Sequence, residues 1–201
     1  MMAIPVALDT ARDGPVPLDL ADWDAPATEE ELGLLDQAAA PVLDIGCGPG
    51  RLLVSLAERG LAALGVDVSS SAVALARQKG ACVLRRDVFD RLPGEGMWAT
   101  ALLFDGTVGI GGNPVRLLGR CAGLLAPSGQ LIAETGPPGT GWRELTAWVE
   151  HDGRQRGDTF RWATVGMDAV LDAADDTGFT VTRLEHPASG RWFAVLAAPG
   201  P

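Results

Sequence analysis

The 201-residue sequence predicts an α/β domain, a mostly parallel sheet with helices on both faces and an antiparallel edge hairpin at its C-terminal end. Three observations carry that expectation. Short apolar runs alternate with segments of helical spacing, glycines cluster at the strand-to-helix junctions, and two strand-like runs close the chain. The length suits one domain with a full hydrophobic core. Residues 27–201 read as that domain. Residues 1–26 hold four prolines and no clear period, and read as an irregular lead-in from which Trp23 docks.

The elements follow in order from local signals. Thr28, Glu29, Glu30 and Glu31 have the capping-box spacing, in which the Thr28 hydroxyl and the Glu31 carboxylate satisfy exposed amides at a helix start. Leu32, Leu35 and Ala39 continue that helix. Residues 42–45 form a short apolar strand, and Leu52, Leu53, Leu56 and Ala57 recur at helical spacing as far as Gly60. The pattern then repeats, with a strand over 62–66 and a helix opening near Ser69 to Ser71. This helix presents Ala72, Val73, Leu75 and Ala76 and stops at Gly80; both Gly60 and Gly80 suit left-handed helix stops.

Residues 81–84, 99–104 and 130–135 read as three more strands, the last preceded by a helix over 115–125. Strands joined by helical crossovers run parallel, and their ligands sit at the carboxyl ends, near a reversal in strand order. After residue 135 the pattern changes. Gly136, Pro137, Pro138 and Gly139 form a loop, and runs at 144–150 and 159–165 flank the turn signal Asp152-Gly153, which predicts a hairpin insertion over 140–165. A last helix over 167–176 stops at Gly178, and strands over 180–185 and 192–197 form the antiparallel edge.

Composition excludes several function classes. A formal net charge of −10 repels a phosphate backbone, so a nucleic-acid partner is not expected, and Arg154, Arg156 and Arg161 read as a solvated strand face. Cys47, Cys82 and Cys121 form no C-x-x-C pair, and His151 and His186 lack ligand spacing, so neither a metal site nor a disulfide framework is expected. The N-terminus shows no basic and apolar leader pattern, and no stretch approaches the ~18 apolar residues of a membrane span. The expectation is a cytoplasmic protein without a membrane partner, its oligomeric state open.

The chemistry concentrates at strand ends. Leu43-Asp44-Ile45-Gly46-Cys47-Gly48-Pro49-Gly50 places a carboxylate on a strand and glycines at the entrance to a helix, where the backbone bends sharply and a ligand can lie on it. Asp67 ends the second strand, where a carboxylate can accept hydrogen bonds from both hydroxyls of an adenosine ribose. Asp87 lies past the third strand in Arg86-Asp87-Val88-Phe89, placed to accept from an adenine amine while Val88 covers the ring. Each feature has a plainer reading, respectively a tight turn, a helix cap and a solvated carboxylate. Their succession at three strand ends favours a nucleoside ligand.

This arrangement resembles the class I S-adenosylmethionine-dependent methyltransferase family over residues 28–196. The resemblance implies that Asp44, Gly46, Cys47 and Gly48 contact the methionine moiety, that Asp67 and Val68 hold the ribose, that Asp87 and Val88 hold the adenine, and that Asp105 adjoins the cofactor. It also implies a Rossmann-like sheet of seven strands. The cofactor is then S-adenosyl-L-methionine. A nicotinamide dinucleotide would ask for glycine or alanine at position 51, which is Arg51, and a pyrophosphate gains nothing from Asp44. A binding scaffold without catalysis, acting through a protein partner, also fits these residues.

The acceptor is less legible. Phe104-Asp105-Gly106-Thr107 is not the Asn/Asp-Pro-Pro-aromatic tetrapeptide of the family's adenine and glutamine amino methylases, which leaves a small-molecule acceptor, apolar or aromatic. Asp105 is the candidate base, or else a partner of the glycine-rich loop over 109–113. His151 and His186 show no partner in the sequence. Trp142, Trp148 and Trp162 either line a substrate pocket or pack the insertion onto the sheet.

Overall fold

A computed structural model describes residues 16–19, 23–151 and 154–200, with 16–19, 151 and 156 described by backbone alone. The turn signal Asp152-Gly153 and the side chains of His151 and Arg156 therefore lie outside the described residues.

The central sheet has strands β2 (Val42–Ile45), β3 (Ala63–Asp67), β4 (Val83–Arg85), β5 (Trp98–Leu103), β6 (Leu125–Thr135), β9 (Thr180–Glu185) and β10 (Trp192–Ala197). Their order is β4-β3-β2-β5-β6-β10-β9, parallel except where β10 runs antiparallel to β6 and β9. The seven-stranded Rossmann-like expectation is met. From β2 the chain builds outward through β3 and β4, then returns to place β5 on the other flank. The order reverses between β2 and β5, so the turns after these strands, at 46–50 and 104–106, frame a switch-point crevice.

Helices α2 (Arg51–Glu58), α3 (Ser70–Gln78), α4 (Pro114–Leu124) and α5 (Met167–Asp176) supply the crossovers, with α1 (Glu29–Leu35) preceding the sheet. Local chemistry sets their ends: Ser69 Oγ accepts from the Ala72 amide, and Asn113 Oδ1 accepts from the Arg116 amide ahead of Pro114. The core divides across the sheet. Leu43, Ile45, Leu103 and Leu131 face α4 and α5, while Val42, Leu102, Ile132 and Phe193 pack with Leu34, Leu35, Leu52 and Leu56.

A second sheet of order β1-β7-β8 combines β1 (Val16–Asp19), β7 (Trp142–His151) and β8 (Arg154–Val165). It rests on the 3-10 turn over Thr107–Gly112 that follows β5. The contact is close: a Cβ on Gly109 would stand 2.0 Å from the Ala163 carbonyl oxygen, so only glycine fits.

Three local expectations change. Residues 16–19, read as part of an irregular lead-in, form β1, because their backbone pairs in parallel with Ala147 to Glu150 of β7. The first helix ends at Leu35 and does not reach Ala39. The Ala39 amide donates instead to Thr100 Oγ1 at 3.0 Å, and Pro41 turns the preceding residue away from helical geometry. Strand β6 starts at Leu125, five residues early, since Leu125 pairs with Trp98 ahead of a register shift.

Candidate functional site

The switch-point crevice holds a cavity of about 340 Å3, within the range of small-ligand sites. Among its walls are Asp44, Gly46, Cys47, Gly48, Asp67, Val68, Asp87, Val88 and Asp105, so the strand ends picked out in the sequence converge on one space.

The glycine loop forms one wall. Gly46 has φ of 72°, and a Cβ there would lie 2.7 Å from Thr107 Cγ2, so the loop and the 3-10 turn meet only because position 46 lacks a side chain. Asp44 stands beneath the loop, 3 % exposed, and its Oδ2 has no hydrogen-bond partner among the described residues. Burial away from water, with Asp105 and Asp67 adding repulsion against the pull of Arg51, pushes its carboxyl up to about 7. A buried acceptor left open in this way costs about 1–3 kcal/mol, which a cationic or hydrogen-bonding ligand would recover. Burial also drives the Cys47 thiol well above its usual range, so Cys47 is a packed wall and not a nucleophile.

Asp67 closes the next side. Its Oδ2 accepts from the Gly48 amide at 2.9 Å and its Oδ1 from the Ser69 amide at 2.8 Å, which orients the carboxylate and leaves one lone pair on each oxygen for two hydroxyls. Burial raises its carboxyl against those amide bonds. Beyond it, Asp87 is exposed, with Oδ1 accepting from the Phe89 amide at 2.9 Å, while Val88 is buried. Arg120 Nε fixes this turn by donating to the Val88 carbonyl at 2.8 Å, and the Arg116 guanidinium lies 3.8 Å from the Phe89 ring centroid.

These features can cradle a nucleoside with a charged amino-acid tail. Residues 42–129 match the family model described as "Methyltransferase domain". Over that span, less than half of its length, the chain is similar to a methyltransferase domain. A ubiquinone biosynthesis O-methyltransferase of Pseudomonas aeruginosa is 31 % identical over 116 residues, 53 % of this chain and 47 % of that protein. The chain thus spans about half the length of the curated relatives it matches. An S-adenosylmethionine-dependent methyltransferase of Bacteroides fragilis, solved with S-adenosyl-L-homocysteine, superposes with a TM-score of 0.72 at 21 % identity, covering 90 % of this chain and 80 % of that one. The glycopeptide N-methyltransferase MtfA, solved with S-adenosyl-L-methionine, gives 0.68 at 17 % identity over 96 % of both chains. These two likenesses concern the fold.

The small sheet gives the cavity its remaining wall. Val149, Phe160 and Trp162 line the cavity together with Ile110 and Trp23, and the Phe160 and Trp162 rings meet edge to face at 5.9 Å. Of the three tryptophans singled out in the insertion only Trp162 lines the cavity. Trp142 is exposed and Trp148 half-buried elsewhere. Phe160 lies two residues before Trp162 on the same strand face, a period-2 signal present in the sequence. His186 stacks on Trp192 at 3.7 Å, outside the cavity lining. Arg161 pairs with Glu144 and also lines the cavity, and the register sets Arg161 opposite Thr146 but Arg154 opposite His151, so these arginines do not form the single solvated face read from the sequence.

A buried ionic network, not anticipated from the sequence, braces the cavity floor. Glu31 is fully buried, and its carboxylate takes Arg51 Nη1 and Nη2 at 2.5 and 2.6 Å, Arg191 Nη1 at 2.6 Å and the Thr28 amide at 2.8 Å. Arg51 also grips Asp105, with Nη2 2.8 Å from Oδ1 and Nε 3.2 Å from Oδ2, and Arg191 holds Glu134. Burial opposes ionisation of Glu31, yet Arg51 and Arg191 hold its carboxyl down to about 2. Asp105 sits at φ of 55° with both oxygens in these ion pairs and its amide donating to Glu134 Oε2 at 2.7 Å. Arg51 therefore looks into the protein, joining α1, α2 and the turn after β5.

Proposed function

We propose that this chain transfers a methyl group from S-adenosyl-L-methionine to a small-molecule acceptor. The observation that carries the reading is the unpartnered, buried Asp44 Oδ2 at the wall of the switch-point cavity, in line with the glycine loop and Asp67. A cofactor with an ammonium, two vicinal hydroxyls and an adenine meets Asp44, Asp67 with Val68, and Asp87 with Val88 in that order; a pyrophosphate would meet the Asp44 charge with repulsion.

When bound, the cofactor supplies a methyl on a positive sulfonium, whose departure as a neutral thioether asks little of acid–base groups. The chain's part is alignment and exclusion of water. Asp44 binds the ammonium, Asp67 fixes the ribose, and Gly46 and Gly48 let the loop approach the methionine moiety. Phe160, Trp162, Val149, Ile110 and Trp23 form an apolar face for the acceptor. Because both oxygens of Asp105 are committed to ion pairs, we assign it to positioning this wall, and the proton of a methylated hydroxyl or amine leaves to water.

The acidic charge supports a small-molecule acceptor over nucleic acid, and the three free cysteines agree with a reducing cytoplasm. Among the described residues no helix is long and apolar enough to cross a membrane. Titration calorimetry with S-adenosyl-L-methionine, S-adenosyl-L-homocysteine and NADH tests the cofactor, and transfer of labelled methyl into a metabolite extract tests catalysis. Cofactor binding with no labelled product would favour the scaffold reading; binding of NADH alone would overturn the proposal.

A further inference from the structure

One group in the cavity wall has no role in the assignments above. Thr107 is 6 % exposed, lines the cavity, and its Oγ1 has no hydrogen-bond partner among the described residues. Its amide is occupied, donating to the Phe104 carbonyl at 3.0 Å, and its Cγ2 methyl abuts Gly46. An open hydroxyl in a buried wall is costly unless something bonded occupies the space beside it. Thr107 opens the turn that carries Ile110, so it stands where the glycine loop meets the apolar acceptor face of Phe160 and Trp162.

We infer that Thr107 is a specificity-determining residue whose hydroxyl holds the acceptor's nucleophile, and that the acceptor is an aromatic ring bearing a protic oxygen or nitrogen. The inference rests on the methyltransferase reading. Offset or edge-on contact with the Trp162 and Phe160 rings rewards a planar aromatic ring. A threonine hydroxyl accepts from an O–H or N–H, turning the heteroatom's lone pair toward a fixed direction. An unactivated carbon nucleophile offers that hydroxyl no partner and leaves it open. Trp23 adds a second polar mark on the same face, an indole N–H that is buried and likewise open among the described residues.

The test uses the full chain saturated with S-adenosyl-L-homocysteine and, as probes, phenol, catechol, aniline and toluene, the first three carrying protic heteroatoms and the last none. Crystals of the ternary complex are expected to place the probe's O–H or N–H within hydrogen-bond distance of Thr107 Oγ1, phenol and aniline showing whether oxygen or nitrogen is preferred. Thr107→Val, which keeps the shape, is expected to weaken the preferred probe about five- to twentyfold, with little change for toluene or for S-adenosyl-L-homocysteine, and Thr107→Ser to restore it. Equal weakening of S-adenosyl-L-homocysteine would assign the hydroxyl to the cofactor and overturn the inference. So would toluene binding as well as phenol and aniline, or probes seated away from Thr107. Failure of S-adenosyl-L-homocysteine to bind the wild-type chain would instead overturn the underlying methyltransferase reading.

Discussion

Substituting Asp44 by Asn separates the charge at the cavity wall from its shape. With its carboxyl pushed up to about 7 by burial, Asp44 is mostly protonated in the empty protein at mild acidity. An ion pair with the cofactor's ammonium requires the ionised form. Between pH 5.5 and pH 7 the ionised fraction of such a group rises from ~3 % to ~50 %, so wild-type affinity should tighten about fifteenfold over a window in which an α-amino group stays largely charged. Asp44→Asn should flatten that profile and weaken binding at pH 7 by about 1.5–3 kcal/mol, the worth of a hydrogen bond to a charged group. The folding linkage has the opposite sign. A carboxyl raised from 3.8 to about 7 makes the empty protein most stable below its unfolded value, and stability falls as the pH rises to about 7, reaching a cost of about 4 kcal/mol. The empty Asn variant should therefore lose less stability than the wild type between pH 5 and pH 8. Calorimetric titration with S-adenosyl-L-homocysteine in buffers of different ionisation enthalpy, paired with thermal melts, reads both effects. A wild-type affinity independent of pH, or an Asn variant with the same pH slope, would refute the assignment.

Asp67→Ala should weaken cofactor binding by about 1.5–3 kcal/mol through loss of the ribose bonds, and unchanged affinity in a folded variant would remove that role. Glu31→Gln should destabilise the chain by about 3–5 kcal/mol in denaturant unfolding, because Arg51 and Arg191 would lose a shared buried anion; a change below ~1 kcal/mol would show the network to be incidental. The same carboxyl, depressed to about 2, stabilises the fold above its unfolded value near 4.5 and ceases to do so as the pH falls toward 2, so the Gln variant should lack the acid-induced loss seen in that window. Gly46→Ala should impair both folding and cofactor binding, since its Cβ meets Thr107 Cγ2 at a positive φ; an unaffected melting temperature would contradict the close approach.

The central sheet was legible because its signals are local. Val42 to Ile45 is a short apolar run, Ser69 caps where a serine should, and the runs at 167–176, 180–185 and 192–197 have the limits read from them. Strand β1 was not legible because its partner in β7 lies more than a hundred residues away, and prolines mask its pattern. The early start of β6 was hidden because Pro127 and Gly129 interrupt the strand pattern between Leu125 and Gln130. At the site, the strand-end residues converge on one cavity, but the ionic network joins Glu31, Arg51, Asp105, Glu134 and Arg191 from five separate segments. One local sign did exist. Glu31 shares a helical face with Leu34 and Leu35, and a carboxylate on an apolar stripe asks for a buried cation. Its capping-box role accounted for the residue well enough to conceal that demand.

The most direct measurement is calorimetric titration of the full chain with S-adenosyl-L-methionine and, separately, NADH, followed by counting label transferred from methyl-labelled S-adenosyl-L-methionine into extracted metabolites. Saturable binding of S-adenosyl-L-methionine, none of NADH, and label in a low-molecular-weight product are expected. Absence of S-adenosyl-L-methionine binding in a chain shown to be folded would contradict the cavity's assignment, and label found only in protein or nucleic acid would contradict the small-molecule acceptor.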